Sequence, residues 1–230
     1  NTGYEFNLMS YVHEGQVYVL GLADREKTKT DPASIPISTR NVYPSCLMDQ
    51  VYDDARAILQ KIIAFTGQTE GELSMQFFWA KDRGIQVCEV AARFLGYEHE
   101  LIEYCSGLSL EELMLDSVYD TDAFAKKLAS HDPWFKKVSA VLYFQGKEDV
   151  IADLSIAKDC LDLPEIVSSQ LFYKDGEKIT SFARPYVARC CISSDSRLLV
   201  NIWTDRIFDG MSITNAKGEE LLYQNQRTMY

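Results

Sequence analysis

Apolar and polar residues alternate through Tyr4-Glu5-Phe6-Asn7-Leu8-Met9, the pattern of a β-strand with one wet face. His13-Glu14-Gly15-Gln16 then supplies a hairpin turn, and Gln16 to Ala23 the return strand. From Asp24 to Ser45 the chain is polar and carries Pro32, Pro36 and Pro44, which predicts a long loop. Val51, Ala55, Ile58, Leu59, Ile62 and Ile63 next fall on one face at helical spacing, and Gly67 and Gly71 mark the helix end and the following turn. Glu72 to Ala80 and Ile85 to Ala91 read as two apolar strands around Lys81-Asp82-Arg83-Gly84. Helical pattern returns after Arg93. Ser109 with Glu112 three residues on has capping-box spacing, and a further helix starts at Thr121 or Asp122.

Around Pro133 the character changes. Val138 to Phe144 is a strong strand, and Ile166 to Tyr173 leads into Lys174-Asp175-Gly176-Glu177, a strand and hairpin turn. Tyr186 to Ile192 is another strand. Ser193 or Ser194 caps a helix running to about Phe208. Met211 to Thr214 and Glu220 to Tyr223 flank the turn Asn215-Ala216-Lys217-Gly218, so the tail reads as a mostly antiparallel unit with a helix or two.

Composition narrows the partners. A formal charge of −11 argues against nucleic acid, whose phosphates need clustered Lys and Arg. No apolar run approaches the roughly 18 residues of a membrane span. The six cysteines, Cys46, Cys88, Cys105, Cys160, Cys190 and Cys191, form no C-x-x-C pair and read as buried, reduced thiols of a cytoplasmic protein. His13, His99 and His131 are too scattered to suggest zinc.

The stretch that carries chemistry is Ser74 to Trp79, a turn, and Val87 to Arg93. A four-residue loop, Lys81 to Gly84, closed by Ala80 and Ile85 would set Gln76 opposite Glu89, with Cβ atoms about 5 Å apart. A three-residue loop with a bulge would change that register by one residue. Two oxygen-bearing side chains so placed can share a hard cation such as magnesium, which takes one or two carboxylates plus phosphate oxygens. Arg93, four residues past Glu89, can aim a guanidinium at the same place.

Gly71 to Gly96, with Gln76-Phe77-Phe78 and Glu89-Val90-Ala91-Ala92-Arg93, resembles the metal-binding hairpin of the ATP-grasp superfamily. Gly3 to Asn7 with its hairpin, and Tyr43-Pro44-Ser45 before a long helix, follow the same family's order. The tail is similar to the small β-rich C-terminal domain of the branch with biotin carboxylase, carbamoyl-phosphate synthetase and amino-acid ligases. The resemblance implies an α+β fold: the C-terminal half of an ATP-grasp fold over residues 1–115, an antiparallel sheet with flanking helices, then a small β-rich C-terminal domain over residues 116–230. It implies ATP and Mg2+ as cofactors and small-molecule carboxylate and amine substrates, joined through an acyl phosphate. Carried over by residue, Glu89 binds magnesium, Gln76 takes the other metal-ligand position, and Arg93 contacts the phosphoryl group or a substrate carboxylate. Gln76 stands where the family usually has Glu, and Ala91 where it often has Asn.

Four further residues are substrate candidates. Glu5 can face the site from its strand, Asp24 and Arg25 end a strand at the long loop, and His99 follows the motif. The family's nucleotide-clasping lysines and glycine-rich loop are not found in this sequence. A fragment of a longer protein is therefore expected, inactive by itself and free to form a homodimer. Two functions stay open at this point: part of a carboxylate–amine ligase, or a degenerate ATP-grasp scaffold serving as a binding or assembly module.

Overall fold

The computed structural model describes residues 3–27, 38–180 and 186–228. The chain forms two compact units, Asn1–Arg25 with Asn41–Ser139, and Glu26–Arg40 with Ala140–Tyr230. Among the described residues eight strands build an α+β architecture, β5-β4-β1-β2 in the first unit and β6-β8-β7 in the second, with the residues of β3 divided between the two.

In the first unit β1 (Tyr4–His13) and β2 (Gln16–Lys27) form the expected hairpin. Its turn is Glu14-Gly15, both at positive φ (49° and 71°), as a two-residue type I′ connection requires. The wet face expected of β1 does not exist, because Glu5 through Val12 are all buried. The strand is interior, paired with β2 on one side and β4 (Gly71–Ala80) on the other. Its polar residues face protein partners instead of water.

Helix α1 (Met48–Thr66) arises where the periodicity places it, and Gly67 ends it in a left-handed cap, its N–H reaching the Ile63 carbonyl at 2.8 Å. Met48, Val51, Ala55, Leu59 and Ile63 bury one stripe against the sheet face made by Phe6, Leu8, Val19, Leu22, Leu73, Met75 and Phe77. Each large side chain so buried contributes about 1.5–3 kcal/mol. The segment from Asp24 to Ser45, expected to be one long loop, is partly sheet. Strand β2 continues to Lys27, β3 (Ser38–Tyr43) is buried along its whole length, and residues 28–37 lie outside those described. A polar strand is buried without loss when its side chains find partners. Here Asn41 donates to Glu98, while in the second unit Arg40 donates to Glu26, to Asn201 (2.8 Å) and to Thr204 (3.0 Å). The Tyr43–Pro44 bond is cis.

Beyond β5 (Gly84–Ala91) come α2 (Glu100–Ser106), α3 (Leu110–Tyr119) and α4 (Thr121–Ser130). Ser109 caps α3 by accepting the Glu112 N–H, as its spacing predicts. The second unit holds β6 (Val138–Phe144), α5 (Ser155–Leu161), β7 (Ile166–Leu171), β8 (Ala188–Ser194) and α6 (Arg197–Gly210). Its last helix is capped by Ser196 rather than Ser193 or Ser194, and α5 is an element the periodicity does not reveal. Two cysteines also depart from expectation. Cys46 and Cys88 are exposed, the other four buried. Cys88 is exposed because β5 is an edge strand. Among the described residues no helix is long and apolar enough to cross a membrane.

Two substitutions test this architecture. Leu59→Ala removes a fully buried side chain from the α1 stripe and is expected to lower unfolding free energy by about 2–5 kcal/mol, with an unchanged denaturant slope. Glu14→Asn puts a residue tolerant of the left-handed region into the exposed β1–β2 turn, and is expected to raise stability by up to about 1 kcal/mol in the same assay.

Candidate functional site

The β4–β5 hairpin closes differently from the expected four-residue loop. Ala80 pairs with Gly84, so the loop is Lys81-Asp82-Arg83, and Gly84 adopts the left-handed φ of 65° that a three-residue connection needs. A bulge then follows. Phe77 pairs with Val87 but Gln76 pairs with Glu89, and Cys88 is the extra residue between them. The short loop shifts the ladder by one and the bulge restores it, so Gln76 and Glu89 are directly opposed after all. On the other side of β4, Gln76 is opposed to Asn7 of β1. Cross-strand partners share a face, so Asn7, Gln76 and Glu89 make one row over three strands.

Glu5 lies two residues before Asn7 and therefore on the same face. Its Oε1 accepts hydrogen bonds from Gln76 Nε2 and from Arg25 Nη1. The carboxylate is 2% exposed, and the guanidinium compensates its charge. Gln76 spends its N–H2 group on Glu5, which leaves its carbonyl oxygen as the acceptor it can offer a cation. A glutamate at position 76 would set two carboxylates against each other, so Gln76 is the residue that Glu5 demands.

Glu89 and Arg93 sit at the open edge, 59% and 60% exposed, with Nη2 and Oε1 3.8 Å apart. An exposed pair at this spacing is worth less than about 1 kcal/mol, so either side chain can turn to a ligand at little cost. Asp24 and His99 are placed elsewhere. Asp24 shares the α1 face with its partner Phe6, and accepts the Ser45 hydroxyl at 2.5 Å and the Cys46 N–H at 3.0 Å, fixing the entry to α1. His99 directs Nε2 to Glu111 at 2.7 Å. The structure thus brings together Glu5, Arg25 and Gln76, with Glu89 and Arg93 beside them.

Sequence reading missed Asn7, Asn41 and Glu98. Glu98 lies on the loop between β5 and α2 and is 2% exposed. Its Oε1 accepts the Asn7 amide at 2.8 Å and its Oε2 the Asn41 amide at 2.7 Å. Burial pushes this carboxyl up to about 7, against the pull of the two carboxamides and of the Arg25 charge. Tyr97, just before it, holds φ at 64°, uncommon for an aromatic residue. No local sequence signal marks these three residues, because each is defined by a partner far along the chain.

No family model matches the sequence, and no curated protein does. Solved structures do match. An L-amino acid ligase from Bacillus licheniformis is 17% identical over 92% of this chain and 54% of that one, with a TM-score of 0.72. Phosphoribosylglycinamide synthetase from Anaerococcus prevotii is 15% identical over 93% and 54%, TM-score 0.66. N5-carboxyaminoimidazole synthase from Aspergillus clavatus, solved with ADP and an aminoimidazole ribonucleotide, is 18% identical over 90% and 50%, TM-score 0.64. The chain spans about half the length of these structures. At such identities the likeness is one of fold, and the chain has the fold of part of an ATP-grasp protein.

Proposed function

We propose that the chain supplies the magnesium- and phosphate-facing surface of an ATP-dependent ligase that joins a carboxylate to an amine through an acyl phosphate. The observation that carries this reading is the row Asn7–Gln76–Glu89, which runs from a buried strand to an exposed edge and ends in a carboxylate beside a guanidinium.

The donor chemistry fits magnesium. The ion takes one or two carboxylates, keeps waters and accepts phosphate oxygens. Glu89 offers the carboxylate and Gln76 an amide oxygen. No group of three His, Cys, Asp or Glu side chains gathers among the described residues, so phosphate and water would complete the shell. Bound Mg·ATP supplies the activated phosphoryl group. The chain's own residues bind and orient: Glu89 and Gln76 hold the ion, Arg25 and Glu5 fix Gln76, and Arg93 neutralises charge on the phosphoryl group or a substrate carboxylate. The Glu5–Gln76 bond gives Gln76 a reason of its own, which supports the ligase reading over a decayed scaffold.

The test is magnesium-dependent ADP release by the full-length polypeptide that carries this chain, with pools of carboxylates and amines. Release is expected to require both pools, and Glu89→Gln to lower it by on the order of tenfold or more. Release indifferent to Glu89→Gln, or no magnesium-dependent ATP binding, overturns the proposal. Gln76→Glu gives a second check. It removes a hydrogen bond to a carboxylate and adds a repulsion, and is expected to cost about 1.5–3 kcal/mol of stability at pH 8. The loss shrinks at pH 5, where carboxyl groups begin to take up protons.

A further inference from the structure

The carboxyl group of Glu98 is clasped from two strands. An ionised carboxylate only accepts hydrogen bonds, so Asn7 and Asn41 must each turn Nδ2 toward it, as they do. For Asn7 this has a consequence. Its oxygen is left buried, and has no hydrogen-bond partner among the described residues. Buried acceptors are nearly always satisfied, and an exception calls for a reason. Asn7 is 5% exposed and stands in the same row as Gln76 and Glu89.

We infer that Glu98 is a positioning residue: its carboxyl group orients the carboxamides of Asn7 and Asn41 so that Asn7 offers an oxygen acceptor, not an N–H donor, on the face that carries Gln76 and Glu89. An amide oxygen takes an N–H or O–H donor and repels phosphate. Within the ligase reading that donor is the amine substrate as its ammonium form, and this part of the inference rests on that reading. The clasp itself does not.

Protonation reverses the arrangement. A protonated Glu98 carries an O–H donor, and one carboxamide must then turn its oxygen inward. Asn7 is free to do so, because its oxygen holds no other bond. Its N–H2 group then replaces the oxygen on the face. The groups that face Glu98 are Asn7 of β1, Arg25 of β2, and Asn41 and Tyr43 of β3, while the adjacent His99 turns away to Glu111. With Glu98 held near 7, the exchange falls close to neutral pH.

The experiment is a pH titration of the chain by NMR, following the Glu98 side-chain carboxyl carbon and the asparagine side-chain amides. Glu98 is expected to titrate near 7, and the Asn7 amide signals to move with the same midpoint. In Glu98→Gln the Asn7 midpoint disappears while the backbone spectrum persists. Asn7→Leu removes one donor to the carboxylate and is expected to move the Glu98 midpoint up. Asn7→Asp, which adds a like charge, moves it up as well, so either variant suffices if the other does not fold. Stability follows the same sign. A carboxyl raised from 4.5 to about 7 contributes stability that is full below 4.5 and lost as pH rises toward 7. The thermal midpoint of the wild type is therefore expected to fall more across that window than that of Glu98→Gln. A Glu98 midpoint in the ordinary carboxylate range, or Asn7 amides that ignore it, overturns the clasp. Ethylammonium above pH 7 is expected to shift the Asn7 amide in the wild type and not in Glu98→Gln. A shift by inorganic phosphate instead overturns the acceptor assignment. A failure to release ADP leaves every one of these signals unchanged, so the clasp and the ligase reading fail separately.

Discussion

Strand register is the constraint on which the first unit depends. Side chains alternate sides at every residue, so a slip of one position in β5 would set Glu89 opposite Met75, on the α1 face, and take it away from Gln76. The three-residue loop at Lys81 to Arg83 imposes such a slip, and the bulge at Cys88 cancels it. The apolar set on the α1 side and the polar row on the other side are thus fixed together. The core does not merely support the row, because the hydrophobic demand of Phe6, Leu8, Met75 and Phe77 is what forces Glu5, Asn7 and Gln76 onto the opposite face.

Three carboxylates of the first unit are buried, and each is matched by a different chemistry. Glu5 has a guanidinium and an amide, Asp24 a hydroxyl and a backbone N–H, and Glu98 two carboxamides. Burying a charge is costly unless it is paired or well hydrogen-bonded. Burial raises the pKa of Glu98 against the pull of its two carboxamide donors and of the Arg25 charge.

The comparisons and the geometry bear on different questions. Similarity to solved structures at 15–18% identity speaks to fold, and covers about half of those chains. The functional reading instead rests on where particular oxygens and cations lie. Glu89 on the edge strand and Arg93 just past its end are open to solvent, whereas Glu5, Asn7 and Glu98 are buried.

Local pattern determined much of this protein. Helical spacing located α1, the Glu14-Gly15 turn located the β1–β2 hairpin, Ser109 with Glu112 located the start of α3, and the resemblance of the Gln76 and Glu89 segments pointed to the strand pair. These signals are short-range, written in residues a few positions apart. What the sequence could not supply was long-range. Nothing local says that β1 is interior, so its polar residues read as solvent-facing, and nothing local distinguishes the polar strand β3 from a loop. Asn7, Asn41 and Glu98 are separated by 34 to 91 positions and meet only after the sheet has formed. A residue's partner, not its type, decided whether it was wet or buried, a ligand or a brace. Partners are set by tertiary packing.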